Sequence, residues 1–316
     1  MERKQGRSTW RFWGVSLGML CIISLLVLPL STLDAQAPGI KQVPSDPNPY
    51  FSPTATTQAQ ASIVLVSNRY SGPVCIVFTE LSRLPAANSP AQEVQYGLFD
   101  TTGSSRFSLD GSTASEQQTL VGSFPPDSRK HDLLTLGFLV KVFPATLPPP
   151  GTYTMTLRAE LFAGSYPPSG AVKDSVLFTI SILVGSFYDV SVVAEGGGFS
   201  LGSTSTTLAF GTIQQYDTRR ADLLVRSNVT YDLSLSSTNS GAFANLSDGT
   251  RIPYSLTANG TAVSLASGTR TLLANGTQAG YGTPARFALV IGVLPFTDLP
   301  SEGAYSDSLV VTLSAR

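Results

Sequence analysis

Charge is scarce in this chain. Asp, Glu, Lys and Arg make up 13% of 316 residues, and the formal net charge is −1. That is about half of the roughly 25% usual in soluble chains. The balance gives no case for nucleic acid, and no Lys/Arg stripe occurs beyond the N-terminus. The apolar fraction of 42% sets the chain apart from disordered sequences, which carry more charge and fewer apolar residues. Helical periodicity is missing too: no segment holds a 3.6-residue apolar period over three turns.

Histidine occurs once, at His131, and cysteine twice. A Ser-His-Asp triad or a His-rich metal site would have to use His131. That residue lies in Asp127-Ser128-Arg129-Lys130-His131-Asp132, which reads as a solvated loop before a strand. The remaining inventory is too poor for zinc ligation within one chain. The acids are scattered rather than paired as glycoside hydrolysis requires. No catalytic, cofactor or metal site is expected, and the chain reads as a non-enzyme. Cys21 sits in an apolar N-terminal run, which leaves Cys75 unable to form an internal disulfide. Val74-Cys75-Ile76-Val77-Phe78 reads as a buried strand, where Cys is a small hydrophobe.

What is present begins with a secretory signal over residues 1–37. Arg3, Lys4, Arg7 and Arg11 form a basic start, residues 13–30 are apolar, and Ala35-Gln36-Ala37 is a small-x-small cleavage site. A retained signal anchor is the alternative, since the apolar run approaches spanning length. The cleavage site and the Pro-rich stretch after it favour removal, leaving a secreted chain with no membrane span. Residues 38–60 hold Pro38, Pro44, Pro47, Pro49 and Pro53 without an alternating apolar run. They read as a linker or mobile arm with no strand to donate.

The rest predicts an all-β fold of two tandem immunoglobulin-like β-sandwiches, over residues 61–184 and 185–316. Short apolar runs recur at even spacing between Gly/Ser/Asn/Pro turns. The last stretch alternates strictly, with Leu309, Val311 and Leu313 on one face. Residues 170–181 repeat residues 303–314 at an offset of 133, with six identities in twelve. Among them, Asp174 matches Asp307, which suggests a structural role at the start of each strand. The expectation is of two domains closing on the same kind of strand. Sequons at Asn228, Asn245, Asn259 and Asn275 read as turn chemistry.

Leu208-Ala209-Phe210-Gly211, Leu223-Leu224-Val225, Tyr231-Asp232-Leu233-Ser234-Leu235 and Gly303-Ala304-Tyr305-Ser306-Asp307 follow one another in the second domain. In order and spacing, residues 187–316 resemble the spore coat protein U family. One departure is that this domain has no cysteine, whereas family members usually carry them. The resemblance implies a pilin-type sandwich of archaic chaperone–usher systems that lacks its last strand. A periplasmic chaperone, and later the N-terminal extension of a neighbouring pilus subunit delivered by the usher, would fill the gap by strand addition. Leu309, Val311 and Leu313 would then line the strand-acceptor groove. The chain would be a tip adhesin of a surface fimbrium, passing through the periplasm to the cell surface. Residues 187–193, or a strand within the first domain, would complete the first domain. Leu84, Leu147, Pro148 and Tyr166 are candidate adhesive loop tips. The alternative is a free-standing secreted, envelope or coat protein with complete domains.

Overall fold

A computed structural model describes residues 37–44, 46–84, 93–111, 116–144, 147–167, 170–265, 270–276 and 283–316. The signal segment, apart from Ala37, and residues 85–92, which follow the candidate tip Leu84, lie outside the described residues. Among the described residues there are strands and one 3-10 turn at Glu116–Gln118, with no α-helix.

The first sandwich contains β1 (Gly39–Gln42), β2 (Thr57–Val66), β3 (Gly72–Leu84), β4 (Gln95–Phe99), β5 (Leu120–Phe124), β6 (Leu133–Phe143), β7 (Gly151–Ala163) and β8 (Asp174–Val184). One sheet runs β1-β2-β6-β4 and the other β5-β3-β7-β8, with every neighbour antiparallel. Period-2 patterning explains the facing. Along β7, Tyr153, Met155, Leu157, Ala159 and Leu161 are buried, while Thr and charged residues alternate outward. β8 does the same with Phe178, Ile180, Ile182 and Val184. These residues form one core with Phe78, Phe107 and Phe138.

The second sandwich contains β9 (Tyr188–Ala194), β10 (Thr218–Ser227), β11 (Tyr231–Ser237), β12 (Ala242–Asn245), β13 (Arg251–Ala258), β14 (Thr261–Val263), β15 (Thr271–Gly276), β16 (Ala285–Val293), β17 (Tyr305–Ser306) and β18 (Leu309–Ala315). Its larger sheet runs β17-β12-β13-β16-β10-β9, with β14 on β13, and its smaller sheet runs β15-β11-β18. A separate core forms around Leu223, Val225, Leu233, Leu235, Tyr254 and Ile291.

Seven strands of the first sandwich, β1 to β7, have counterparts in the second. β2, β6 and β4 correspond to β10, β16 and β13, and β1 on β2 corresponds to β9 on β10. In the second sheet, β5-β3-β7 corresponds to β15-β11-β18. The counterpart of β18 is therefore β7, not β8, and the expectation that both domains close on the same kind of strand is corrected. The sequence repeat reflects how the two strands begin. Asp174 accepts from Ile40 N at 2.7 Å and Ser175 N at 2.8 Å, while Asp307 accepts from Asn239 N and Ser308 N, both at 2.8 Å. A carboxylate that gathers backbone N–H groups imposes the same local sequence on strands with different neighbours.

Two further expectations change. Residues 38–60 are not a loose arm. β1 pairs with β2, β2 itself begins at Thr57, and Tyr50 bridges Leu183 in parallel. Phe51 N donates to Leu183 O at 2.8 Å, and the Asp46 carboxylate accepts from Ser181 N and Oγ, both at 2.9 Å. The prolines hold this stretch extended without allowing a regular ladder, so it carries no alternation. Its anchors are Ile40, Val43 and Phe51, which pack on the first core. Residues 188–194 do not complete the first domain, because β9 pairs with β10 from Tyr188–Ser227 to Ala194–Ala221. Only Phe187 reaches back to the first core.

Phe51→Ala should lower stability by about 3 kcal/mol, as truncation of a buried aromatic does. Urea unfolding of the full chain checks this, and an unchanged midpoint would mean that the segment does not dock. Cys75 is fully buried, and burial pushes its thiol up to about 11. It should resist thiol-labelling reagents near about pH 8 in the native chain and react once the chain is unfolded.

Candidate functional site: the open side of the second sandwich

β18 pairs with β11 from Tyr231–Ala315 to Ser237–Leu309. Among the described residues, no strand pairs with its other edge. In the first sandwich, the equivalent edge of β7 is taken by β8 from Gly151 to Leu161. The cores show the result. Met155, Leu157 and Ala159 on β7 are 0% exposed, whereas Leu309, Val311 and Leu313 on β18 are only partly buried against their core.

Beside this edge runs a groove of about 610 Å³. Its floor is apolar, including Leu223, Leu235, Leu289 and Ile291, and its rims carry Val192 of β9 and Leu309 and Val311 of β18. Leu313 packs on the same core further along β18. All three side chains lie on the core-facing side of β18.

A strap partly covers the groove. Ser203 O accepts from Val192 N at 2.8 Å, and Ser203 Oγ donates to Val192 O at 3.0 Å. Residues 204–210 then continue without strand pairing along the groove wall. Leu208 and Phe210 pack on the core. Arg219 holds the end of the strap: Nε donates to Ala209 O at 2.8 Å and Nη2 to Phe210 O at 3.2 Å. Its guanidinium also lies 5.0 Å from the Phe210 ring centroid. Phe210 packs edge-on to Phe243 at 5.1 Å. Gly211 follows at φ +67°, a left-handed conformation that favours glycine. Sequence reading found the Ala-Phe-Gly motif but missed Arg219, whose only signal is its distance along the chain from an aromatic.

One end of the groove is fixed by Asp307. It accepts from Ser237 Oγ at 2.5 Å, from the Tyr254 hydroxyl and from two backbone N–H groups. Burial, then the hydrogen bond to Asp307, push the Tyr254 hydroxyl well above the ordinary tyrosine range. This network keeps Tyr254 in place as part of the groove wall. Leu208–Gly211, Leu223, Leu235 and Tyr305–Asp307 all line the groove, so the motifs behind the family resemblance gather on one feature.

The four loop residues do not form one surface. Leu147 is 3% exposed within the first core, and Pro148 is buried. Pro148 O accepts from Asn228 Nδ2 at 3.0 Å. That fully buried amide also donates to Gly185 O at 2.8 Å and accepts from Phe187 N at 2.6 Å. The Pro-rich loop is thus a junction element, correcting its assignment as an adhesive tip. Leu84 is exposed but lies at the same end, opposite Thr154 near the start of β7. Tyr166 is partly buried between β7 and β8. Asn228 could be anticipated only as a turn residue, because its partners are remote in sequence.

His131 lies in an exposed loop. Among the described residues, no group of three or more His, Cys, Asp or Glu could hold a metal, and no helix is long and apolar enough to cross a membrane.

No family model matches the chain, and no curated protein matches it. Solved structures overlap it loosely. One is a chain of the CsuC–CsuE chaperone–tip subunit pre-assembly complex from archaic chaperone–usher Csu pili of Acinetobacter baumannii. It is 15% identical and has a TM-score of 0.40, over 79% of this chain and 88% of that one. The CupB6 tip adhesin from Pseudomonas aeruginosa is 10% identical, with a TM-score of 0.30 over 86% and 90% of the two chains. CfaE, the adhesive subunit of CFA/I fimbria of enterotoxigenic Escherichia coli, is 11% identical, with a TM-score of 0.30 over 90% and 80%. At such overlap, these likenesses carry no argument about function.

Proposed function

We propose that this chain is a non-enzymatic surface-fibre subunit whose second sandwich is completed by a strand from another protein. The observation that carries the reading is the contrast within one molecule. β8 covers the edge of β7 and fills the first core, while the matching edge of β18 stands beside an open groove with an apolar floor. An uncovered edge beside an apolar groove is a strand-addition site.

β8 also describes the strand required. It inserts Phe178, Ile180, Ile182 and Val184 at every second position. A donor with four such side chains would gain roughly 6–12 kcal/mol from burial before the cost of ordering it. A periplasmic chaperone would supply that strand first, and a neighbouring subunit delivered through an usher would replace it at the cell surface. Residues 39–44 and 46–51 are held on the first sandwich. A subunit that receives a strand while keeping its own N-terminal stretch suits the tip of a fibre. Leu309, Val311 and Leu313 serve as one wall of the acceptor groove. The gathering of the Ala-Phe-Gly and Tyr-x-Asp motifs on this groove supports membership of a spore coat protein U-like pilin group.

The test appends a copy of residues 174–184 after Arg316 through a short flexible turn. This should raise unfolding stability by on the order of 5 kcal/mol and protect the β18 amides from hydrogen exchange. It should also abolish co-purification with a co-expressed periplasmic chaperone. Leu309→Ser, Val311→Ser and Leu313→Ser combined should remove chaperone binding, and the outward-facing Val310→Ser should not. A native monomer whose β18 amides are already protected on both edges would overturn the reading.

A further inference from the structure

The three most exposed large apolar side chains among the described residues are Leu299 at 95%, Leu246 at 78% and Tyr216 at 72%. All three stand at one end of the second sandwich, the end away from Gly185. β16 finishes there at Val293 and β12 at Asn245, and β10 begins there at Thr218 opposite Gly292. The opposite end has Ser227 beside Tyr188 and Tyr231 beside Ala315. Leu294, also exposed, directly follows β16.

The loops that carry these side chains are fastened to one another. Tyr216 N donates to Val293 O at 3.0 Å, and Val293 N donates to Asp217 O at 2.9 Å. Gln215 Nε2 donates to Phe296 O at 2.8 Å. On the other side, Leu246 N donates to Ala304 O at 3.2 Å, and the buried Asn245 amide donates to Ser301 Oγ at 3.0 Å. Residues 294–304 thus join the Tyr216 turn to the Leu246 turn. Tyr216 sits at φ +70°, an uncommon conformation for a residue with a side chain. Apolar side chains braced outward together mark a contact surface, whereas singly scattered ones need no explanation. This collar is continuous with the groove. Ile213, three residues before Tyr216, lines the groove, as do Tyr305 and Ser306, which follow residues 294–304. Phe296 packs on the core beneath.

Carboxylates prevail around it. Asp217, Asp248, Asp298 and Glu302 stand on these loops. Of the arginines at this end, Arg219 holds the strap carbonyls, Arg220 pairs with Glu195, and Arg251 donates to Asn239 O. Arg270 precedes β15, which lies at the edge of the smaller sheet opposite β18. We infer that this end of the second sandwich seats the body of the protein that donates the strand, through an apolar surface flanked by lysine or arginine. The inference rests on strand acceptance by the groove. At the junction end of the groove the first sandwich is tied on through Asn228, which leaves the Asp307 end for the rest of a donor. The acidic rim disfavours an anionic bilayer and is complementary to a basic protein surface.

The experiment measures two affinities of the full secreted chain, one for a synthetic peptide of residues 174–184 and one for a purified periplasmic chaperone. Both should bind. Tyr216→Asn, Leu246→Gln and Leu299→Gln should each weaken chaperone binding about tenfold, as loss of one buried apolar side chain does, and leave peptide binding unchanged. Asn tolerates the left-handed conformation at position 216, and all three side chains are exposed, so the unfolding midpoint should stay unchanged. Asp298→Lys should slow chaperone association, most strongly at low salt. Leu272→Gln, exposed on β15, is the control and should change neither affinity. A chain that binds the peptide but not the chaperone, or a triple variant that binds the chaperone like the parent, would overturn this inference and leave strand acceptance standing. A chain that binds neither would overturn both. Binding to phosphatidylcholine vesicles, or self-association, that the triple variant loses would overturn the inference in favour of a bilayer or a second copy.

Discussion

A sheet edge cannot lie bare beside an apolar core without cost, because its backbone groups need partners and its side chains need cover. Both halves of this molecule are arranged around that constraint. In the first, β8 takes the open edge of β7, and residues 46–51 then fasten the outer side of β8. In the second, no strand among the described residues takes the other edge of β18, and the strap at residues 204–210 leans over the groove. One topology thus occurs once complete and once open within a single chain.

The open half has not collapsed, and the reason is local. Asp307 binds two backbone N–H groups and two hydroxyls at one end, which fixes Tyr254 and the turn before β18. Arg219 holds the strap from outside through two carbonyls and a ring face. These polar contacts keep the apolar walls apart. A groove formed in advance lowers the ordering cost of whatever enters it. Low charge fits the same design, since carboxylates or ammonium groups along an apolar groove would have to be desolvated.

The alternating facing of β7, β8 and β18 was legible in the sequence, because each has one face toward a core. So was the buried environment of Cys75. The neighbours of each strand were not. The match between residues 170–181 and 303–314 arises from the two carboxylates at the strand starts. Such local chemistry says nothing about which strand lies alongside. The docking of the stretch before β2 was not legible because prolines suppress alternation, while its contacts, the β1 ladder, the Asp46 carboxylate and the Phe51 ring, are made with residues remote in sequence. Leu147 and Pro148 look like an exposed loop in sequence. Leu147 packs into the first core and Pro148 O meets Asn228 from 80 residues away, and neither contact leaves a local trace.

The docking of the N-terminal stretch also governs the order of assembly during synthesis. Ile40 N meets Asp174 across 134 residues, and Asp46 meets Ser181 across 135. Contacts this distant form slowly, because a long loop must close first. As the chain emerges N-terminus first, β1 and residues 46–51 are available long before their partner β8 exists. Until β8 arrives, the edge of β7 is as bare as that of β18. If the second sandwich takes its strand from another protein, as proposed, the first reaches by the end of its own synthesis the covered edge that the second obtains only from a partner.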